Sequence, residues 1–191
     1  MRAPLLLLAT VTGALALTGC SGGSAPTTTP AATPTGVNLS ATFAAPGGPA
    51  ATYDVSLVPA GATAKVTSSE SNGSTTVTLN VTGLVPNRAY GAHGHVNPCG
   101  ADGADAGPHY QFQKDPVTPS VDPAFANPQN EIWLDFTTDA SGTGTATATV
   151  PWTSPADRRT EAVVIHEKPT SIEPGKAGTA GTRPACITVA F

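Results

Sequence analysis

The chain is short of charge and of aromatic rings: charged residues make up 12% of its 191 positions and aromatic residues 5%. Against that thin supply stand 20 glycines and 19 prolines, a background in which long helices are hard to place. Basic residues number 9 and acidic residues 13. This negative balance speaks against nucleic acid or anionic lipid as a principal partner. Long apolar runs are lacking as well. One compact run covers residues 5–17, too short to cross a hydrocarbon core of roughly 30 Å comfortably, and no second run is long enough.

What is present at the N-terminus reads as a leader. Arg2 supplies a positive start, the apolar run follows, and Leu17-Thr18-Gly19-Cys20 closes it as a lipobox. The resemblance is to bacterial lipoproteins. It implies that residues 1–19 are removed, that Cys20 becomes a lipidated N-terminus, and that the acyl chains hold the protein to a membrane of the cell envelope. The alternative is a secreted protein in which Cys20 is incidental. Residues 20–36, rich in Pro, Thr, Ala, Gly and Ser, offer nothing to bury and read as a tether. Residues 37–191 suit one domain. Loss of Arg2 leaves 8 basic and 13 acidic residues, a net charge of -5.

Within that domain, short β-branched runs recur at residues 51–58, 64–69, 75–81, 131–136, 144–150, 161–165 and 185–189. In residues 75–81, valine and leucine alternate with threonine and asparagine, the pattern of a strand with one wet face. Gly47-Gly48, Asn72-Gly73 and Ser141-Gly142 mark turns between runs. The expected class is all-β, a sandwich or barrel. Trp133 and Trp152 read as packing or surface aromatics. The Asn38, Asn72 and Asn80 glycosylation patterns read as strand and turn residues in a bacterial chain.

Of three cysteines, lipid takes Cys20, which leaves Cys99 and Cys186 in an oxidising compartment. The expectation is one disulfide, worth roughly 4 to 5 kcal/mol in the chain-entropy account. Two free buried thiols are the alternative. The four histidines fall at His93 and His95 within Gly91-Ala92-His93-Gly94-His95, at His109, and at His166 after the apolar run at 162–165. Residues two apart on a strand face the same side, so His93 and His95 can grip one ion. An imidazole set without thiolate fits Cu(II), with zinc as the minority reading.

These segments resemble the copper/zinc superoxide dismutases. The resemblance rests on Gly91-Ala92-His93-Gly94-His95, Ala106-Gly107-Pro108-His109-Tyr110, Val163-Val164-Ile165-His166-Glu167-Lys168 and Ala180-Gly181-Thr182-Arg183-Pro184-Ala185-Cys186, in the family's order. It implies an eight-stranded Greek-key β-barrel, an immunoglobulin-like sandwich with long loops. It implies that His93, His95, His109 and His166 bind one copper ion and that Cys99 and Cys186 are the intrasubunit disulfide. Arg183 falls at the family's active-site arginine, which attracts superoxide and hydrogen-bonds it. His109 takes the place of the ligand that detaches and accepts a proton on reduction. The implied reaction is dismutation of two superoxide anions to oxygen and hydrogen peroxide, and a homodimer, as in some relatives, is left open.

One departure is chemical. With four histidines assigned to copper, none is left for zinc, so the chain resembles a copper-only member. The segment after His166 also lacks the aspartate that links copper and zinc ligands in zinc-containing relatives. Something else must then orient His109. Asp115 and Asp122 are the nearest candidates by sequence, each also readable as a turn residue before proline. Two other functions compete with the enzyme on the same scaffold: a copper-binding or copper-sequestering lipoprotein with little dismutase activity, and a degenerate surface module.

Overall fold

The structure, a computed structural model, describes residues 36–191. The expected leader, the lipidated Cys20 and nearly all of the tether lie outside the described residues. The described residues hold no helix and nine strands: β1 (Gly36–Thr42), β2 (Ala50–Thr52), β3 (Thr63–Ser71), β4 (Ser74–Thr82), β5 (Ala89–His95), β6 (Phe136–Thr137), β7 (Gly144–Val150), β8 (Ala162–His166) and β9 (Ala185–Thr188). They form two antiparallel sheets, ordered β1-β3-β4-β7 and β2-β9-β8-β5-β6. The all-β expectation holds. The count is nine rather than eight, two strands being only two or three residues long, and the ladders of the two sheets do not join into a closed barrel among the described residues.

The first sheet shows why the alternating sequence folds as it does. In β4, Thr75, Val77, Leu79 and Val81 are buried, while Thr76, Thr78 and Asn80 lie on the outer face. The outer threonines pair across strands, Thr76 with Thr149 at 3.0 Å and Thr78 with Thr147 at 2.9 Å, so a polar face built of good β-formers still contributes cross-strand contacts. Val66, Val77 and Leu79 from this sheet share one apolar core with Ala92, Val163, Ile165 and Ile187 from the other.

The second sheet is covered on both sides, which explains its continuous apolar run. All five residues of β8 are buried. Val163 and Ile165 enter the main core, whereas Ala162 and Val164 pack on the opposite face against Cys186 and Ala106. The loop that supplies Ala106 is tied down by the Cys99–Cys186 disulfide. A strand covered by a sheet on one face and by a loop on the other has no wet side to mark with polar residues.

Two expected strands shrink. Of residues 51–58 only the start is strand, because Tyr53 and Asp54 both turn their N–H groups to the Pro184 carbonyl. Residues 131–136 run beside β5 mostly as isolated bridges, since they share the edge of β5 with the 109–110 segment: Gly94 donates to Ile132 and accepts from Tyr110.

Leu79→Ala should lower the unfolding free energy by about 2–5 kcal/mol, through lost burial and the cavity it leaves. Thr78→Ala, on the outer face of the same strand, should cost less than about 1 kcal/mol. Urea unfolding of the two variants measures the contrast.

Candidate metal centre

Strand register builds the site. β5 and β8 pair with Gly91 opposite His166, His93 opposite Val164 and His95 opposite Ala162. Side chains of paired residues share a face, so His93, His95 and His166 all project to the side of β8 that carries Ala162 and Val164, away from the main core. The fourth histidine comes from the loop: His109 bridges to His95 as the chain runs antiparallel to β5. Gly94 faces inward, where a Cβ would come within 3.1 Å of Thr160. That face is crowded rather than open, and glycine is what lets it close.

The four rings converge. One ligand nitrogen from each of His93, His95, His109 and His166 can be chosen so that all lie within 4.8 Å of one another. Imidazole–metal bonds of about 2.0–2.1 Å put opposite ligands roughly 4 Å apart, so small side-chain adjustments suffice.

Neighbouring acceptors decide which nitrogens are free. His95 Nδ1 lies 2.9 Å from the Gly107 carbonyl and His109 Nδ1 lies 2.7 Å from Glu131 Oε2. A carbonyl or an ionised carboxylate can only accept, so both Nδ1 atoms carry the proton and both Nε2 lone pairs are left for a cation. His93 is turned the other way. Its Nε2 lies 2.6 Å from Thr170 Oγ1, while its Nδ1 is buried and has no hydrogen-bond partner. His95 Nε2 and His166 Nε2 approach to 3.3 Å. His166 Nδ1 is likewise buried without a partner, and a bound metal ion is one way in which orphaned imidazole nitrogens of such a quartet are satisfied.

Electrostatics agrees with neutral rings. Burial, followed by repulsion from the neighbouring His109 and His166, holds His93 and His95 well below the ordinary imidazole range. His166 is pushed down to about 3, again chiefly by burial, then by His109 and Arg183. Neutral imidazole is the form that binds metal.

Arg183 sits at the rim. Its Nη1 donates to the Gly103 carbonyl at 3.0 Å and the Gly107 carbonyl at 2.7 Å. The Gly107 oxygen also accepts from His95, so one carbonyl fixes a ring of the quartet and the guanidinium together. Arg183, His109 and His166 line a cavity of about 690 Å³, whose walls include Lys114, Val117 and Pro119. Burial lowers the Arg183 pKa from its usual value, yet a guanidinium remains a cation at neutral pH.

The orienting group for His109 is neither aspartate expected from sequence. Glu131 does it, and its carboxylate is 1% exposed. Its Oε2 accepts from His109 Nδ1 and from Trp133 Nε1, both at 2.7 Å, and its Oε1 accepts from Gln111 Nε2 at 2.8 Å. Asp115 accepts from the Val117 N–H and the Ser120 hydroxyl, and Asp122 from the Ala124 N–H. Both aspartates are occupied with their own turns, as residues before proline commonly are. Trp133 also departs from the packing role: besides holding Glu131, its ring lies edge-on to His93, centroids 5.8 Å apart. Trp152 keeps that role, 5% exposed and stacked on Phe112. A signal for Glu131 was present. It is an acid at the head of the run 131–136, two residues before Trp133, and residues two apart share a face of a strand.

The family described as copper/zinc superoxide dismutase matches over residues 60–189. No curated protein matches. Among solved structures, the Cu/Zn superoxide dismutase from Brucella abortus superposes with a TM-score of 0.51 at 22% identity, covering 66% of this chain and 87% of that one. At that identity the likeness is one of fold.

Two outcomes follow for the domain without metal. Glu131→Gln should destabilise it by about 1–3 kcal/mol, because an amide cannot accept from three donors without turning its own N–H₂ toward one of them. Asp122→Ala should change stability by less than about 0.5 kcal/mol. Acid should also weaken the metal-free fold early. The folded rings of His93, His95 and His166 resist protonation, so the unfolded state binds more protons once pH falls below the ordinary imidazole value of 6.5. Stability is then full above that pH and declines toward about pH 3. Asp54, Asp139 and Glu167, whose pKa values are lowered by hydrogen bonds, add their loss only below the ordinary carboxylate values of 3.8 to 4.5. Urea midpoints at pH 7, 6 and 5 isolate the histidine window, and a flat profile there would contradict it.

Proposed function

The chain belongs to the copper/zinc superoxide dismutase family, and from that premise we propose that it is a copper-dependent superoxide dismutase without a zinc site, held at the bacterial cell envelope by lipid on Cys20. The observation that carries the reading is the quartet of imidazoles, one nitrogen from each lying within 4.8 Å of the others. It contains no thiolate or carboxylate, a donor set suited to Cu(II). The four histidines are all that the chain possesses, which supports copper alone and leaves no imidazole for a zinc site.

His93 would hold copper through Nδ1, His95 and His109 through Nε2, with His166 completing the set. Bound there, copper would supply a one-electron redox couple, the chemistry that dismutation of two superoxide anions requires. The chain's residues do the rest. Arg183 offers an anion-binding cation at the edge of the cavity, in a protein whose net charge is negative. A local positive focus on such a background raises the rate of encounter with a small anion, and the guanidinium's planar donors can hold it beside the quartet. His109 is the ring that can exchange protons with the cavity: it lines that space, its side chain is 15% exposed, and its Nδ1 proton is retained by Glu131. Nε2, when released from the metal, is therefore the atom on which a proton would be taken up and passed on. The rings of His93 and His95, buried and held by Thr170 and Gly107, serve as fixed donors.

Arg183→Ala tests the enzyme against the copper-sequestering alternative. The copper-loaded variant should keep its metal, lose about tenfold or more of its rate with superoxide, and lose most of the salt dependence of that rate. Pulse radiolysis at several ionic strengths measures both. Equal rates with and without the arginine would favour the carrier.

A further inference from the structure

The quartet's ring that points differently from its neighbours is His93, and the contacts behind it say why. His95 and His109 each give Nδ1–H to a group that can only accept. His93 instead meets a hydroxyl, Thr170 Oγ1, at 2.6 Å. A hydroxyl can donate or accept, so by itself it selects no tautomer. The next contact does: Thr170 Oγ1 lies 2.6 Å from Asp135 Oδ1. An ionised carboxylate takes the hydroxyl's one proton, and the oxygen is left only its lone pairs for His93. The carboxylate is itself fixed, its Oδ2 accepting from the Thr170 N–H at 2.7 Å and its Oδ1 from the Ala92 N–H at 3.2 Å. Asp135 does not reach the ring directly, since His93 Nε2 is 3.8 Å from Oδ1, beyond hydrogen-bonding distance. The hydroxyl is the link.

We propose that Thr170 is a positioning residue of this centre: its hydroxyl, with its proton committed to Asp135, accepts Nε2–H from His93 and so fixes the tautomer and ring orientation that present Nδ1 to the metal. The inference rests on the copper reading above and deepens it, from a contact that holds the ring to a hydroxyl that selects its tautomer. A second observation supports it. At Gly91, opposite His166, an added Cβ would lie 2.6 Å from the Lys168 carbonyl and 3.2 Å from Thr170 Oγ1. The absence of a side chain there lets the segment carrying Thr170 close against the sheet. His93 is fully buried, so bulk water has no access with which to replace the hydroxyl.

The test compares wild type, Thr170→Val and Thr170→Ser, using Cu(II) alone as the probe. Affinity is read by competition with a chelator, and ligand geometry by the electron paramagnetic resonance spectrum of the loaded protein. Removal of a group that orients a metal-bound histidine typically costs about 10–100-fold in affinity, and that loss, with an altered spectrum, is expected for Thr170→Val. Thr170→Ser, which restores the hydroxyl, should bind within about threefold of wild type with the wild-type spectrum. Equal affinity and spectrum in Thr170→Val, or an equal loss in Thr170→Ser, would overturn the proposal. Should Thr170→Val fail to fold, Asp135→Ala carries the test. It frees the hydroxyl proton to point at His93, and an unchanged affinity and spectrum would again overturn the role. Failure of wild type itself to bind Cu(II) would overturn the copper reading first, and this inference with it.

Discussion

The register of β5 against β8 is the constraint on which everything else depends. Gly91 pairs with His166 and His95 with Ala162, so three imidazoles leave one face of one sheet within reach of a common point. A slip of a single residue would send His93 and His95 into the apolar core and Ala92 and Gly94 outward. The core resists that slip. Ala92, Val163, Ile165 and Ile187 interlock with Val66, Val77 and Leu79 from the other sheet, and no imidazole could replace them without burying an unpaired ring nitrogen. The packing that stabilises the sandwich is therefore the packing that aims the ligands.

Around that frame, polar groups convert position into chemistry. The loop pinned by Cys99–Cys186 supplies the Gly107 carbonyl, which holds both His95 and Arg183. Residues 131–135 pass along the edge of β5 and present Glu131 to His109 and Asp135 to Thr170. Two carboxylates four residues apart thus govern two rings of the quartet, one directly and one through a hydroxyl. In a site of buried neutral imidazoles, such acceptors set which nitrogen faces the ion.

Much of this could be read from the residues. The alternation in 75–81 and 144–150 gave strands with those bounds or nearly so, because a sheet with one wet face writes its period into sequence. The four histidines were identifiable from their motifs, and the pairing of Cys99 with Cys186 from cysteine arithmetic. What sequence could not supply was proximity across loops. Asp115 and Asp122 are nearer His109 along the chain than Glu131 is, yet Glu131 reaches it because the Gln111–Glu131 bridge brings the two segments side by side. Thr170 stayed hidden for a related reason: a threonine after a proline looks like a loop residue, and its part depends on Asp135 standing behind it. The short strands at 50–52 and 136–137 were overextended because β-branched residues continue past the point where the backbone finds other partners.

The central claim is one redox-active ion on four imidazoles with no zinc beside it. Elemental analysis of the folded protein, expressed with copper and zinc both in supply, bears on that claim most directly. The account predicts about one copper per chain and no stoichiometric zinc. Zinc equal to copper, or two ions in every molecule, would contradict it.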